Sequence, residues 1–341
     1  MTTNFAPWQQ RAYAQAAEAL AAGRLAHGLL FSGQAGLGQR EVAEKLAQRV
    51  LCLSPRGDEP CGSCRSCALY QSRSQFDPVE VRPDGTLSHP YGHPTHPDAI
   101  FIGFALNPKT SKMWTQLTIP QIQDLSERLV KTPQFGNNVV ALIEPADALN
   151  ESASNALLKT LEEPVPGRYL WLIAADISRL PATIRSRCQK LEFRLPPREE
   201  ALAWLRASGH SKSAEEALDA ARGHPGLAAQ WLADGSLDLR RSVADDLRAL
   251  SHGRASATAT AQRWNADDAL ALRLRFAADL ALEAAGRLTD PARTRRLAAW
   301  FAAANRSRDL LRTTVRADLV VVELLLQWPV AGERGVAGAK A

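Results

Sequence analysis

The chain has 341 residues and a mass of 37.1 kDa, which is more than one domain of ordinary size. Its 41 basic and 36 acidic residues leave a net charge of +5, a mild excess that does not by itself indicate nucleic-acid binding. A hydrophobic share of 45% excludes a disordered chain, and no apolar run approaches the roughly 18–20 residues of a membrane helix. The first residues lack a charged segment followed by an apolar core, so we expect no secretory signal and a cytoplasmic protein with no membrane partner.

The first fifty residues have the pattern of a helix, a strand, a glycine loop and a second helix. Residues 8–23 are Ala-rich and amphipathic and predict a helix that ends at Gly23. The apolar residues 28–31 predict a buried strand, and the glycine-rich residues 33–38 (GQAGLG) follow it at once. A helical pattern then begins near Glu41 and continues for about three turns.

Four of the five cysteines, Cys52, Cys61, Cys64 and Cys67, follow this helix with the spacing C-x8-C-x2-C-x2-C. In a reduced compartment such a cluster indicates metal binding before it indicates disulfides. Four thiolates can close a tetrahedral Zn²⁺ site with no open position, so we expect structural zinc. A redox pair or plain buried thiols are the alternatives. Cys188 lies far from the cluster in sequence.

Strands and helices alternate in the rest of the first half of the chain. The predicted elements are, in order, an irregular loop at 72–98, a helix at 119–132, a buried strand at 138–143, a helix at 151–163, and strands at 169–174 and 190–193. Apolar runs of this length are typical of a parallel sheet covered on both faces. The alternation predicts a right-handed, doubly wound α/β domain.

Beyond residue 195 the sequence becomes an almost continuous Ala-, Leu- and Arg-rich helical pattern. The predicted division is an α/β core at 1–195 with the cysteine module at 52–67, a small helical domain at 196–238, a larger helical domain at 239–330 and a disordered tail at 331–341. Residues 317–326 are too continuously apolar for a helix with one solvent-facing side, so we expect this helix to be covered on both sides.

The glycine loop fits the phosphate-binding pattern G-x-x-x-x-G-K-[ST] at both of its glycine positions, in the required strand–loop–helix context. Backbone N–H groups of such a loop cradle phosphate at the start of the following helix. The candidate residues for this role are Gly33, Gly36 and Gly38. A chance glycine loop is the alternative.

The side chains that ATP chemistry needs are missing from this loop. Gln39 stands at the lysine position and has no charge for the phosphates, while Arg40 stands at the Ser/Thr position and has no hydroxyl for Mg²⁺. The strand at 138–143 is followed by Glu144 and Pro145, where an acidic pair would hold the metal and activate water. We therefore expect no ATP hydrolysis and consider nucleotide binding doubtful.

Two segments resemble signatures of the bacterial DNA polymerase III clamp-loader subunits, residues 153–164 (ASNALLKTLEEP) and 183–188 (TIRSRC). The four-cysteine module is also similar to theirs, and the resemblance extends over most of the chain. In this family the gamma/tau ATPase has an intact phosphate loop, whereas the delta-prime type keeps the fold, the zinc module and the Ser-Arg-Cys motif with a decayed nucleotide site. Gln39, Arg40 and Pro145 make the resemblance one to the delta-prime type.

The resemblance implies a protein of the AAA+ class. It would have a P-loop NTPase-like α/β core with the inserted zinc module, a helical lid and an all-α collar that joins a hetero-pentamer. Arg187 is similar to the family's arginine finger, which acts in trans on the ATP of a neighbouring gamma/tau subunit; a solvated loop arginine is the alternative. ATP-binding members have a phosphate-sensing Arg where this chain has Leu227. The implied partners are the gamma/tau and delta subunits, with the sliding clamp and primer-template DNA engaged by the whole complex.

The implied function is to help load the sliding clamp onto primed DNA, as a non-hydrolysing part of the DNA-directed DNA polymerase holoenzyme. The alternative is a gamma-type clamp-loader ATPase with an atypical phosphate loop, which would turn over ATP in isolation. A stand-alone zinc-dependent nucleic-acid binder is a third hypothesis, and it predicts strong, salt-dependent DNA affinity for the chain alone.

Two other patterns carry less weight. His89, His93 and His96 have a spacing that a metal site could use, but a polar, Pro-rich insertion is the favoured interpretation. The Arg-rich residues 293–296 indicate a solvated helix face before they indicate contact with DNA phosphates.

Overall fold

The computed structural model describes residues 5–74, 92–105, 107, 113–311 and 313–329. The chain divides into two compact units, residues 1–228 and residues 229–341. His89 and the predicted tail at 331–341 lie outside the described residues.

The first unit contains a five-stranded parallel sheet. The strands of the described residues are β1 (Gly28–Ser32), β2 (Arg73–Ser74), β3 (His93–Pro94), β4 (Ala99–Ile102), β5 (Val139–Ile143), β6 (Arg168–Ala174) and β7 (Gln189–Glu192). Side by side, the main sheet has the order β4-β5-β6-β1-β7, and each of its pairs is parallel. β2 and β3 form a separate antiparallel pair.

Helices cover this sheet because parallel neighbours need long crossover connections. In the first unit they are α1 (Pro7–Ala21), α2 (Gln39–Leu51), α3 (Arg65–Gln71), α4 (Ile119–Leu129), α5 (Glu151–Glu162), α6 (Ala182–Arg185), α7 (Arg198–Ala207) and α8 (Ala214–Ala220). α9 (Pro225–Ala233) begins at the end of this unit, and two short 3₁₀ turns lie at Ala146–Ala148 and Ile177–Arg179.

The strands are buried on both faces, which explains their continuous apolar sequence. Successive side chains of a strand point to opposite faces. Leu29 and Phe31 therefore pack in a core with α1 and α2, whereas Leu30 packs in a second core with α4 and α5. The predicted parallel α/β sheet with helices on both faces is confirmed.

The predicted strands and helices of the core are confirmed to within a few residues. β4 is an exception, because the sequence pattern predicts no strand there. It has only four residues, too few to show a period, and it follows an irregular segment. The prediction of one loop over 72–98 is wrong at Arg73–Ser74 and His93–Pro94, where β2 and β3 pair; residues 75–91 are not among those described.

The second unit is helical. Its further helices are α10 (Ser236–Ser251), α11 (Ala257–Trp264), α12 (Leu270–Gly286), α13 (Pro291–Leu310) and α14 (Ala317–Leu326). Trp300 anchors α13 to α14, because its indole N–H donates to the carbonyl of Leu324 at 2.9 Å. Leu324 is buried, but Leu319 is 57% and Leu326 70% exposed. Among the described residues, only one side of α14 is therefore covered.

Within the described part of the chain, every helix falls short of the length and apolar character that crossing a bilayer requires.

Candidate functional site

The parallel sheet has two edges of different character. At the carboxyl edge the strands end, and β1 leads into the glycine loop there. At the amino edge the strands begin, and the backbone of Arg187 passes the start of β1, where a Cβ on Gly28 would lie 3.3 Å from the Arg187 carbonyl oxygen. β1 has five residues, which separates the two edges by about 15 Å. Open α/β sheets bind ligands at the carboxyl edge.

The glycine loop has the backbone that its glycines permit. Gly36 and Gly38 both have φ of +91°, in the left-handed region that favours glycine. A Cβ on Gly33 would collide with the carbonyl oxygen of Phe193, so this position also requires glycine. The loop then enters α2 at Gln39, so the three candidate phosphate-binding glycines lie on one strand–loop–helix connection.

Protein groups pack closely against the loop. The Trp8 indole N–H donates to the carbonyl of Leu37 at 2.9 Å, and the Gln9 side-chain amide donates to the same oxygen at 3.2 Å. Gly226, at the start of α9, lies so close to the Gly36 carbonyl that a Cβ there would collide with it. The loop is therefore held from two sides by the protein itself.

The two side chains at the lysine and hydroxyl positions both bond to other groups of the protein. Gln39 is buried, and its amide N–H donates to the carbonyl of Gln34 at 2.8 Å. Arg40 lies between two carboxylates, with Nε 3.0 Å from Glu44 Oε1 and Nη1 2.9 Å from Glu144 Oε2. The residues at the metal-binding positions of a phosphate loop and of the following acidic pair are thus bonded to each other.

This ion pair is largely shielded from water. The Arg40 side chain is 13% exposed and that of Glu144 31%. Burial alone would lower the pKa of Arg40, but the charges of Glu144 and Glu44 outweigh it and raise the pKa above its ordinary value. Glu44 is paired on its other oxygen with Arg73 at 2.7 Å. Arg40 is therefore a permanent cation at the carboxyl edge of the sheet.

A cleft of about 520 Å³ lies beside the loop. The residues that line it include Trp8, Gly36, Arg40, Glu144 and Trp204. The rings of Trp8 and Trp204 meet edge to face with centroids 5.3 Å apart, which joins α1 to α7. Of the described residues that line the cleft, Arg40 is the one cation, and carboxylates already balance its charge.

Arg187 projects from the opposite edge. Its side chain is 36% exposed, with Nη2 2.6 Å from Glu162 Oε1 and Nη1 donating to the Thr183 carbonyl at 2.9 Å. Glu162 ends α5, so the contact joins the two sequence segments that carry the family resemblance. Cys188 beside it is buried, and burial raises the pKa of its thiol to about 11, which makes it unreactive near neutral pH.

The other four cysteines converge on one point between α2 and α3. Their Sγ atoms all lie within 4.8 Å of one another. Two pairs, Cys52 with Cys64 and Cys61 with Cys67, have Sγ–Sγ distances of 3.9 Å. Tetrahedral coordination with metal–sulfur bonds of 2.3 Å requires about 3.8 Å between sulfurs. The cluster can therefore hold a metal ion with four protein ligands.

Backbone N–H groups favour thiolates in this cluster. The N–H groups of Ser63 and Cys64 lower the pKa of Cys61 to about 6. Burial raises the pKa of Cys52 and Cys67, which a bound cation would reverse, since a coordinating thiol loses its proton. The donor set is all sulfur and closed, as in structural rather than catalytic metal sites.

A series of buried hydrogen bonds lies beside the cysteine cluster, and no local sequence pattern predicts it. The Ser66 hydroxyl donates to the Leu51 carbonyl at 2.6 Å and lies 2.8 Å from His96 Nε2. The Asp98 N–H donates to His96 Nδ1 at 3.1 Å, so Nε2 carries the ring proton and donates to Ser66. Burial lowers the pKa of His96, which favours this neutral ring. Both ring nitrogens are used, so His96 is not available to a second metal.

Sequence comparison identifies the family. A family model described as DNA polymerase III, delta subunit, matches residues 8–197. The DNA polymerase III subunit delta' of Pseudomonas aeruginosa is 34% identical over 259 residues, which are 75% of this chain and 70% of that protein. The chain belongs to the delta-prime family of DNA polymerase III subunits. This confirms the resemblance drawn from residues 153–164 and 183–188.

Other relatives are consistent with this membership. The delta' subunit of Haemophilus influenzae is 33% identical over 242 residues, 70% of this chain and 65% of that protein, so the match spans slightly less than two thirds of the relative's length. The tau subunit of Bacillus subtilis is 28% identical over 164 residues, 48% of this chain and 24% of that protein. A gamma subunit-related protein from Thermotoga maritima has a TM-score of 0.43 at 15% identity, covering 91% of this chain and 97% of that one, a score too low to identify a fold.

Proposed function

We propose that this delta-prime family member is a non-hydrolysing subunit of the bacterial clamp loader, with a core of the AAA+ class. The ion pair between Arg40 and Glu144 carries the proposal. Mg²⁺ in a phosphate loop needs a hydroxyl and a carboxylate that are free to coordinate it. Here the hydroxyl is replaced by a guanidinium, and the carboxylate is bonded to that guanidinium. Gln39 supplies no charge for the phosphates, and Pro145 cannot act as a base.

We propose further that Arg187 acts as an arginine finger in trans. It is exposed at the amino edge, about 15 Å from the chain's own glycine loop, so it cannot serve that loop. A neighbouring gamma/tau subunit would supply the ATP, and the guanidinium would stabilise charge on the γ-phosphate. Such a group contributes on the order of 10³–10⁵ in rate in other phosphoryl-transfer systems.

The test is the ATPase rate of a complex reconstituted from this chain with gamma/tau and delta subunits, sliding clamp and primed DNA. Arg187→Ala should lower the rate at the site facing this subunit by about 10³-fold and leave assembly intact. Arg194→Ala is the matched control, because Arg194 is an exposed, ion-paired arginine at the other edge. An unchanged rate for Arg187→Ala would remove the finger from the proposal.

The second candidate function is a gamma-type ATPase with an atypical loop, and the open cleft of about 520 Å³ beside the loop favours it. This candidate requires ATP turnover by the isolated chain. We expect none, and sustained Mg²⁺-dependent turnover that Arg40→Ala abolishes would replace our proposal with this one.

The proposed assembly uses three domains in a cytoplasmic complex. They are the core at 1–195, a lid at 196–238 and a collar at 239–330, with gamma/tau and delta as partners and the clamp and primer-template DNA bound by the whole complex. The exposed side of α14, with Leu319 and Leu326, supports the collar, because a helix apolar on both sides is stable when both are covered. Truncation before residue 239 should abolish co-purification with gamma/tau.

We propose that the metal of the four-cysteine cluster is zinc in a structural role. The ligands would be Cys52, Cys61, Cys64 and Cys67, and the ion would join the end of α2 to α3. Metal analysis should find about one zinc per chain. Cys64→Ser should lose it on dialysis against a chelator, whereas Cys188→Ser should keep it. Full zinc content in Cys64→Ser would contradict the ligand set.

A further inference from the structure

Two groups hold the guanidinium of Arg187 from within the chain. Glu162 Oε1 lies 2.6 Å from Nη2, and the Thr183 carbonyl accepts from Nη1 at 2.9 Å. Each terminal nitrogen has two N–H groups, and one of them points to a group of the protein itself. The guanidinium is therefore oriented, and the second N–H of each nitrogen can donate to a phosphate. The two anchors come from different elements, the end of α5 and α6.

The position of Glu162 is itself rigid. The preceding residue, Leu161, is buried in the core, and its carbonyl lies 2.9 Å from His27 Nε2. Glu162 is the last residue of α5, where the helix dipole also favours a nearby cation. The backbone that carries the Glu162 carboxylate is thus held in place at the end of a helix, at the amino edge of the sheet.

We propose that Glu162 is the positioning residue for Arg187, an inference that rests on the proposed finger function. A free surface arginine samples many rotamers, and ordering it costs conformational entropy at the moment of reaction. The Glu162 contact restricts those rotamers before the neighbouring subunit arrives. Because the pair is half exposed, it is weak enough for the remaining donors to engage a phosphate.

The next residue provides a matched control. Glu163 has the same charge and length and is also exposed. It lines a separate cavity of about 300 Å³ with Lys159 and Arg168. Charge removal at 163 therefore changes the net charge of this edge by the same amount as removal at 162, without touching the Arg187 anchor.

The experiment measures kcat and KM for ATP in the reconstituted complex with full-length chains. Glu162→Gln should lower kcat by about twofold and Glu162→Ala by about fivefold, with KM unchanged, because the neighbour alone binds the nucleotide. Glu163→Gln should match the wild type. In an Arg187→Ala background, Glu162→Ala should cause no further loss, since a positioning residue acts only through the residue it positions.

Each other outcome overturns a defined part of this inference. A wild-type or raised kcat in Glu162→Ala, with Arg187→Ala impaired, would show that Glu162 does not position the finger. An equal loss in both backgrounds would assign Glu162 to folding or assembly. If Arg187→Ala itself retains the full rate, the finger function fails and the anchor has no catalytic meaning.

Discussion

Each edge of the parallel sheet carries an arginine, and the two arginines differ in their exposure and in their acidic partners. At the carboxyl edge, Arg40 is 13% exposed and lies between two carboxylates, so its charge is neutralised inside the protein. At the amino edge, Arg187 is 36% exposed and has one carboxylate partner, so part of its fork faces outward. The comparison teaches that arginine alone predicts neither role. Its burial and the number of its acidic partners decide whether its charge is enclosed in the fold or remains accessible at the surface.

The largest expected effect concerns the shape of the outward-facing arginine. Arg187→Lys keeps the charge but loses the planar fork, so we expect the ATPase rate at the site facing this subunit in the reconstituted complex to fall by about 10²-fold. The thermal midpoint of the isolated chain should change little, because exposed ion pairs contribute about 1 kcal/mol or less. A rate near that of wild type would mean that charge alone, and not bidentate geometry, matters at this edge.

The next effect concerns the enclosed arginine. Arg40→Met removes the charge but keeps most of the volume, which leaves Glu144 and Glu44 without this partner. We expect a loss of about 2–3 kcal/mol in the free energy of unfolding, less than for a fully buried pair because Glu144 is partly exposed. For a unit the size of residues 1–228, that lowers the thermal midpoint by about 4–6 °C.

Arg194→Met is the control for this stability measurement. Its partner is Glu192, and their side chains are 80% and 56% exposed. The change in unfolding free energy should stay within about 0.5 kcal/mol. Adding Glu144→Gln to Arg40→Met should restore part of the lost stability. Equal effects of Arg40→Met and Arg194→Met would remove the distinction between the two kinds of arginine.

The smallest effect concerns the buried hydrogen bonds beside the cysteine cluster. Ser66→Ala leaves the Leu51 carbonyl and His96 Nε2 without a partner, at a cost of about 1–2 kcal/mol in unfolding free energy. Metal release to a colorimetric chelator should become about tenfold faster. Ser72→Ala, an exposed serine directly after α3, should release metal at the wild-type rate. Unchanged metal release from Ser66→Ala would show that these hydrogen bonds do not stabilise the metal site.

Much of this architecture could be predicted from local sequence patterns. The apolar runs that became β1, β5 and β6 are continuous because both faces of the sheet are covered. The spacing of the four cysteines is also a local signal, since the turn between Cys61 and Cys64 needs only short-range geometry. The absence of the lysine and the hydroxyl of the phosphate-loop pattern could likewise be read from Gln39 and Arg40 alone.

The pairings across the fold could not be predicted. Arg40 and Glu144 are 104 positions apart in sequence. In the sequence each is a separate departure from the phosphate-loop pattern, and only the fold of the sheet brings α2 next to the end of β5. The approach of Gly226 to the loop depends on where α9 begins, which no local pattern fixes. The partner of Arg187 was missed for the same reason, because Glu162 lies on another element.

The ion pair at the glycine loop also limits how this loop could acquire the residues of an ATP site. A hydroxyl at position 40 by itself would remove the guanidinium that pairs with both Glu144 and Glu44, so this substitution alone costs stability before any ligand is gained. A lysine at position 39 would displace a buried amide that now bonds Gln34. Pro145 would still lack a proton acceptor. Substitutions at all three positions would be needed before the site could act on ATP, and no single one of them would give a functional benefit.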